Sequence, residues 1–270
     1  MQTLLKIGAT MLLLAVVLVG TSFGIMRAQD VGDHTANGSR GQKSETRKIG
    51  ADVMNIEVNG PIDLMLTQGA TPGLIVVGEE RLLPRVQTTQ KGATLSIDMT
   101  NTFFHTNRPL RVELTLPAMQ QLTMYGSGDG IVTGFHGDKL TLAMHGSGDL
   151  SFNGDYQHVS ASLLGSGDLK LALGNSSDLD LHMMGSGSVT TSGQSKALSA
   201  HIMGSGDLGA EKMLADTVKI DAMGSGDSEV YAKQVAILDL KGSGNIDVHG
   251  NPTHREVNRA GSGDINWDGN

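Results

Sequence analysis

Acidic side chains recur in this sequence at a spacing that invites a chemical explanation. Asp129, Asp149, Asp168, Asp207, Asp227, Asn245 and Asp264, with Ser188 in the one gap, follow one another at intervals of 18 to 20 residues. If the chain returns to the same place at each interval, they stack as a ladder with neighbours about 5 Å apart. Such a ladder repels itself unless a cation or hydrogen bonds from backbone N–H groups relieve it. Glycine-rich aspartate repeats that bind Ca²⁺ run as nonapeptides. A period near twenty therefore favours backbone capping within each corner, with Ca²⁺ as the alternative.

Other constellations share this period. His182, His201 and Asp221, followed by Asp239, hold one position in successive repeats. Two imidazoles and a carboxylate are donors suited to Zn²⁺, but on an open face they read more simply as solvated side chains. Two places further on come Leu164, Met184, Met203 and Met223. Outward-facing, they would form an apolar stripe of the kind that marks a protein contact, and thioethers are also soft ligands for cuprous ion. Gly204 to Gly209 spells GxGxxG, which binds dinucleotides only where a strand turns into a helix; none is indicated here. Asp168 or Asp207 could belong to a glycosidase carboxylate pair. Equivalent carboxylates, however, give no pair the distinct environments that acid–base catalysis requires. No catalytic residue is assigned.

The element that positions all of these is a glycine corner. Gly-Ser-Gly occurs eight times and supplies Gly126, Gly128, Gly146, Gly148, Gly165, Gly167, Gly185, Gly187, Gly204, Gly206, Gly224, Gly226, Gly242, Gly244, Gly261 and Gly263. Apolar residues sit at even offsets on either side, as in Leu140, Leu142 and Met144 before the first tripeptide glycine and Leu150 and Phe152 after it. Even spacing means strands with one face inward. The glycines share that parity, so they are expected to let the backbone approach the core at a sharp bend. Each repeat is then one coil: strand, glycine corner, strand, and a return through segments such as Asn153-Gly154-Asp155 or Leu173-Gly174-Asn175. The fold class expected is all-β, a parallel, single-stranded, right-handed β-helix of about 19–20 residues per coil, since a period near twenty signals a solenoid. A narrow interior also explains why the chain has 37 glycines and only nine aromatic residues.

Ahead of the repeats, Ile56 and Val58, then Ile62, Leu64 and Leu66, then Leu95, Ile97 and Met99, then Val112, Leu114 and Leu116 alternate in the same way. Residues 50–125 are read as a β region that begins the stack, and 126–270 as the β-helix. Lys6, an uncharged run from Ile7 to Met26, and Arg27 read as a secretory signal or an N-terminal membrane anchor over 1–28. Residues 29–49 read as a polar linker. Of the 20 basic and 28 acidic residues, six and three lie within 1–49, leaving 14 against 25 and a formal charge of −11. Such a body repels nucleic acid and anionic lipid. Without cysteine there is no disulfide framework and no thiolate metal site.

Ile56-Glu57-Val58-Asn59-Gly60, the step Leu114-Thr115-Leu116-Pro117 and the recurring Gly-Ser-Gly-Asp-Leu resemble the bacterial auto-transporter adhesin family with the head GIN domain, over roughly residues 50–267. The resemblance implies a β-helical fold outside the cytoplasm and brings no catalytic residues. Together these readings give an exported, non-enzymatic protein, periplasmic, outer-envelope or secreted, with an adhesin-like or structural role and no cofactor. Its expected partner is a protein or glycan of the cell envelope, not nucleic acid, with the membrane touched only through an uncleaved N-terminal segment. A polysaccharide-binding or polysaccharide-cleaving protein and a Ca²⁺-stabilised surface protein are the alternatives.

Overall fold

A computed structural model of the chain describes residues 42–99 and 110–268. The expected signal or anchor and most of the expected linker lie outside the described residues. Strands β1 to β17 follow in chain order, joined by hydrogen bonds into one continuous sheet that coils on itself.

Six strands of 15 to 17 residues carry the repeats: β9 (Gly130–Gly146), β10 (Leu150–Gly165), β11 (Leu169–Gly185), β12 (Val189–Gly204), β13 (Leu208–Gly224) and β14 (Ser228–Gly242). Each pairs in parallel with the next and each ends on the first glycine of a corner. The register places Gly165 over Gly146, Gly185 over Gly165, and so on up the stack. The eight corners bracket about seven turns of a parallel β-solenoid, with the inward parity read from the sequence. Leu140, Leu142, Leu150, Leu181, Val189, Ile220 and Leu238 are all buried. On the far side of each coil the long strand bends without a break in pairing, and the register slips there, between Asn153 and Gly154 or between Ala172 and Asn175. The GxGxxG stretch runs from β12 through a corner into β13; no helix receives it.

The corner glycines act differently from the expectation. Built onto Gly185 or Gly206, a Cβ meets not the core but the carbonyl of the preceding rung, Gly185 against Gly165 and Gly206 against Gly187. Rungs about 4.8 Å apart leave no room between backbones for a methyl group. The first glycine also needs φ near +131° at Gly185, a region essentially confined to glycine. Alternating parity identifies the position but not the direction in which the missing side chain would have pointed.

The N-terminal strands stack out of chain order. β2 (Asn55–Asn59) lies between β6 (Thr94–Met99) and β8 (Gln121–Gly126), while β3 (Ile62–Gln68) lies between β7 (Leu110–Leu116) and β9. The coil built from β2, Gly60 and β3 is thus inserted directly beneath the first Gly-Ser-Gly corner. β4 (Gly73–Glu79) and β5 (Val86–Lys91), joined through a short 3₁₀ turn at Leu83–Arg85, pair antiparallel to β7 and β6. Residues 42–47, expected within the linker, form β1 (Gln42–Arg47) antiparallel to β4. This edge strand is almost wholly exposed, so no apolar alternation announces it. Arg47 anchors it by donating to the carbonyls of Val86 and Leu83.

The other end of the stack is closed by charge. In β16 (His254–Gly261) the inward register over Ala236, Leu238 and Leu240 is taken by Arg255, Val257 and Arg259. Arg255 lies 4.2 Å over the Trp267 ring and donates to Pro252 O and Asn251 Oδ1. Arg259 donates to Gly263 O and Asp264 Oδ1. Inward-pointing charges of this kind discourage a further strand from adding to an exposed edge.

Candidate functional site

The aspartate ladder forms along the corners with one break, and its bonds run between coils. The Asp149 N–H donates to Asp129 Oδ1 at 2.9 Å and the Asp168 N–H to Asp149 Oδ1 at 3.0 Å. Ser188, Asp227, Asn245 and Asp264 N–H groups likewise donate to Asp168, Asp207, Asp227 and Asn245. The acceptor is therefore the preceding coil's side chain, not one in the same corner as expected. The reason lies in the backbone. Each Ser N–H reaches the carbonyl of the glycine one rung back, as from Ser186 to Gly165. The residue after each Asp donates forward to the next coil's Asp carbonyl, as from Leu150 to Asp168. The Asp N–H is left without a backbone acceptor, and the carboxylate supplies one. Ser188 interrupts the series: among the described residues its side chain caps no N–H, and the ladder resumes at Asp207.

The first member of the ladder escaped the sequence reading. The Asp129 N–H donates to Asp63 Oδ1 at 3.1 Å. Gly60-Pro61-Ile62-Asp63 has the glycine-to-aspartate spacing of Gly126 to Asp129, with Gly60 also at positive φ. That spacing was a usable signal, hidden because Pro61 and Ile62 replace Ser and Gly.

On the outward face before the corner, His182 stands beneath His201, their rings stacked at 5.3 Å. His182 Nε2 lies 3.4 Å from Asp180 and His201 Nδ1 3.7 Å from Asp221. Each is a single imidazole–carboxylate contact between partly exposed side chains. Among the described residues no group of three or more such side chains is gathered as a metal would need. Above them the Lys241 ammonium, 2.8 Å from Asp239, donates to its carboxyl and holds it below the usual carboxylate range; Asn258 adds a further bond. Asp239 in turn raises Lys241.

Met184, Met203 and Met223 form a row with 48%, 41% and 40% of their surface exposed. Leu164 beneath them is half-buried. The same column continues downward through His145 to Tyr125, whose rings stack at 4.6 Å. Met184 and Met203 border a small apolar hollow with Leu163, Met183 and Ile202, too tight to hold a water molecule.

A groove of about 460 Å³ opens on the opposite bend, where the β7–β8 connection meets the bulge of β9. Asn55, Gln120, His136, Asp138 and Lys139 line it, with Tyr156 in the floor. The Tyr156 hydroxyl donates to Met119 O at 2.7 Å, and burial pushes its pKa up to about 12. A Cβ on Gly137 would meet the Tyr156 ring at 2.7 Å, so glycine lets the bulge cross the ring. Farther along the same edge a second hollow of about 300 Å³ is lined by Asn175, Gln194, Lys196, Asp216 and Lys233 among others. Neither was visible in the sequence, because each gathers residues from three or more coils that share no motif.

A model of the family described as "Putative auto-transporter adhesin, head GIN domain" matches residues 54–252. A solved structure from Parabacteroides distasonis described as a "Putative lipid binding protein" is 25% identical, with 86% of this chain and 98% of that one covered and a TM-score of 0.76. A "putative adhesin" from the same species is 20% identical over 86% and 98%, with a TM-score of 0.79. A third, a "putative adhesin" from Parabacteroides merdae, is 18% identical over 88% and 100%, at 0.73. The last two likenesses concern the fold alone. No curated protein matches the chain.

Proposed function

The chain belongs to the "Putative auto-transporter adhesin, head GIN domain" family, and from that membership we propose that it is an exported, non-enzymatic, adhesin-like binding protein of the bacterial envelope. The observation that carries this reading is the use of the corner carboxylates. Asp168 Oδ1 accepts from Ser188 and Asp207 Oδ1 from Asp227, so the groups nearest to an acid–base pair serve as backbone caps. What remains is a stack whose outward side chains repeat in register from rung to rung, a surface suited to an extended glycan or protein partner. Export rests on the basic, apolar and small-residue pattern of residues 1–28.

Beads coated with the full chain should be retained on layers of host or bacterial cells, and beads coated with heat-unfolded chain should not. Equal retention of both would overturn the reading. A second reading is favoured by one observation, the exposed methionine row, together with the Parabacteroides distasonis relative described as lipid-binding. Under it an acyl chain lies along Met184, Met203 and Met223. Flotation with neutral phosphatidylcholine vesicles should then carry the chain upward, and Met203→Asp should abolish this.

A further inference from the structure

We propose that the groove beside Tyr156 is a binding site for a pyranose sugar, internal or terminal in a glycan; this rests on the adhesin-like reading and names its ligand class. The groove's volume, about 460 Å³, falls in the range of small-molecule sites, roughly 300–1,000 Å³. Its walls carry both hydrogen-bonding senses: the amides of Asn55 and Gln120 donate and accept, Lys139 donates and Asp138 accepts. Opposite charges on adjacent residues leave no net sign to select an ion. Vicinal hydroxyls, each donor and acceptor at once, match such a set. None of Asn55, Gln120, His136, Asp138 and Lys139 has a side-chain hydrogen bond or ion pair within the described residues, unlike the corner aspartates, so five polar side chains around one hollow are left available to a ligand.

The floor is fixed by packing. Tyr156, Phe135 and Phe152 are the three largest fully buried side chains, and Tyr156 lies in the floor of this groove. The Phe152 and Tyr156 rings lie 6.1 Å apart. This packed base fixes the shape of the hollow, and contact with the sugar falls to the polar walls. The strand above it is bulged, with a register slip between Asn153 and Gly154 and Gly134 at φ +86°. Bulges are over-represented beside functional sites because they re-aim side chains. Here the bulge carries His136, Asp138 and Lys139 to the rim.

Calorimetric titration of the full chain with oligosaccharides of glucose, galactose, mannose and N-acetylglucosamine tests this. At least one should bind, and Gln120→Ala and the double variant Asp138→Ala with Lys139→Ala should each weaken it tenfold or more. Lys170→Ala, on the other bend of the coil, should leave it unchanged. All the substituted side chains are partnerless or exposed, so melting temperatures should stay within a few degrees of wild type. Sugar binding that survives the groove variants would overturn this site while leaving the adhesin-like reading intact. So would cell attachment by a wild-type chain that binds none of these sugars. Loss of both sugar binding and cell attachment in the wild type would overturn the two together.

Discussion

Alanine at the corner glycines separates the two demands placed on them. Gly185→Ala forces a Cβ both into φ +131° and onto the Gly165 carbonyl. The backbone strain costs about 1–3 kcal/mol. Relief of the overlap moves the rungs apart and weakens the bonds that Ser186 and Gly187 N–H make to Gly165 O at 3.0 and 3.2 Å, about 1 kcal/mol each. The expected total is about 3–5 kcal/mol. Gly206→Ala lacks the unusual φ but overlaps Gly187 O, so about 2 kcal/mol is expected. Gly60→Ala keeps φ +117° yet meets only Met99 Cβ at 3.2 Å, which leaves the strain alone, about 1–3 kcal/mol. Gly73, with nothing within 4 Å, should accept alanine and gain up to about 1 kcal/mol through the unfolded chain. Urea unfolding followed by far-ultraviolet circular dichroism measures all four. If Gly185→Ala costs no more than Gly60→Ala, the inter-rung contact is not what demands glycine.

Four further outcomes follow from the same geometry. Asp149→Ala removes the acceptor for the Asp168 N–H and should cost about 1 kcal/mol in urea unfolding, whereas Asp149→Asn should be nearly neutral, as Asn245 already caps Asp264. Thr191 is 1% exposed with its hydroxyl unpartnered, so Thr191→Val should stabilise by about 1 kcal/mol, seen as a higher urea midpoint. The Tyr156 hydroxyl titrates near 12 when folded against about 10 when unfolded. Its contribution is therefore complete below pH 10 and falls away between pH 10 and 12, and Tyr156→Phe should flatten that part of the stability profile. Replacing both Arg255 and Arg259 by valine uncovers the apolar end of the stack, and light scattering should then show end-to-end association absent from the wild type.

The solenoid was legible because its signal is periodic: eight tripeptides and even-offset aliphatics define coil length, corner and inward face together. Where the structure departs from the repeat, the sequence was silent for identifiable reasons. β1 is exposed along its length, so its pairing is carried by backbone alone. The coil of β2 and β3 alternates correctly, but alternation says which face is buried, not which strand lies alongside. Arg255 and Arg259 occupy inward positions by parity yet are exposed, because no described strand pairs on the other side of β16, and parity alone does not show that. The spacing of the aspartates was legible as a column, while the direction of its bonds depended on knowing which backbone donors the corner leaves unpaired. The groove at Tyr156 depends on one bulge and a crossing connection, features with no spacing rule.

Binding without turnover is tested most directly by applying the full chain to an array of envelope and host polysaccharides and reading protein retention and newly formed reducing ends on the same spots. Retention with no reducing ends above background, at any protein concentration, is the predicted result. Reducing ends that rise in proportion to the protein applied would contradict it.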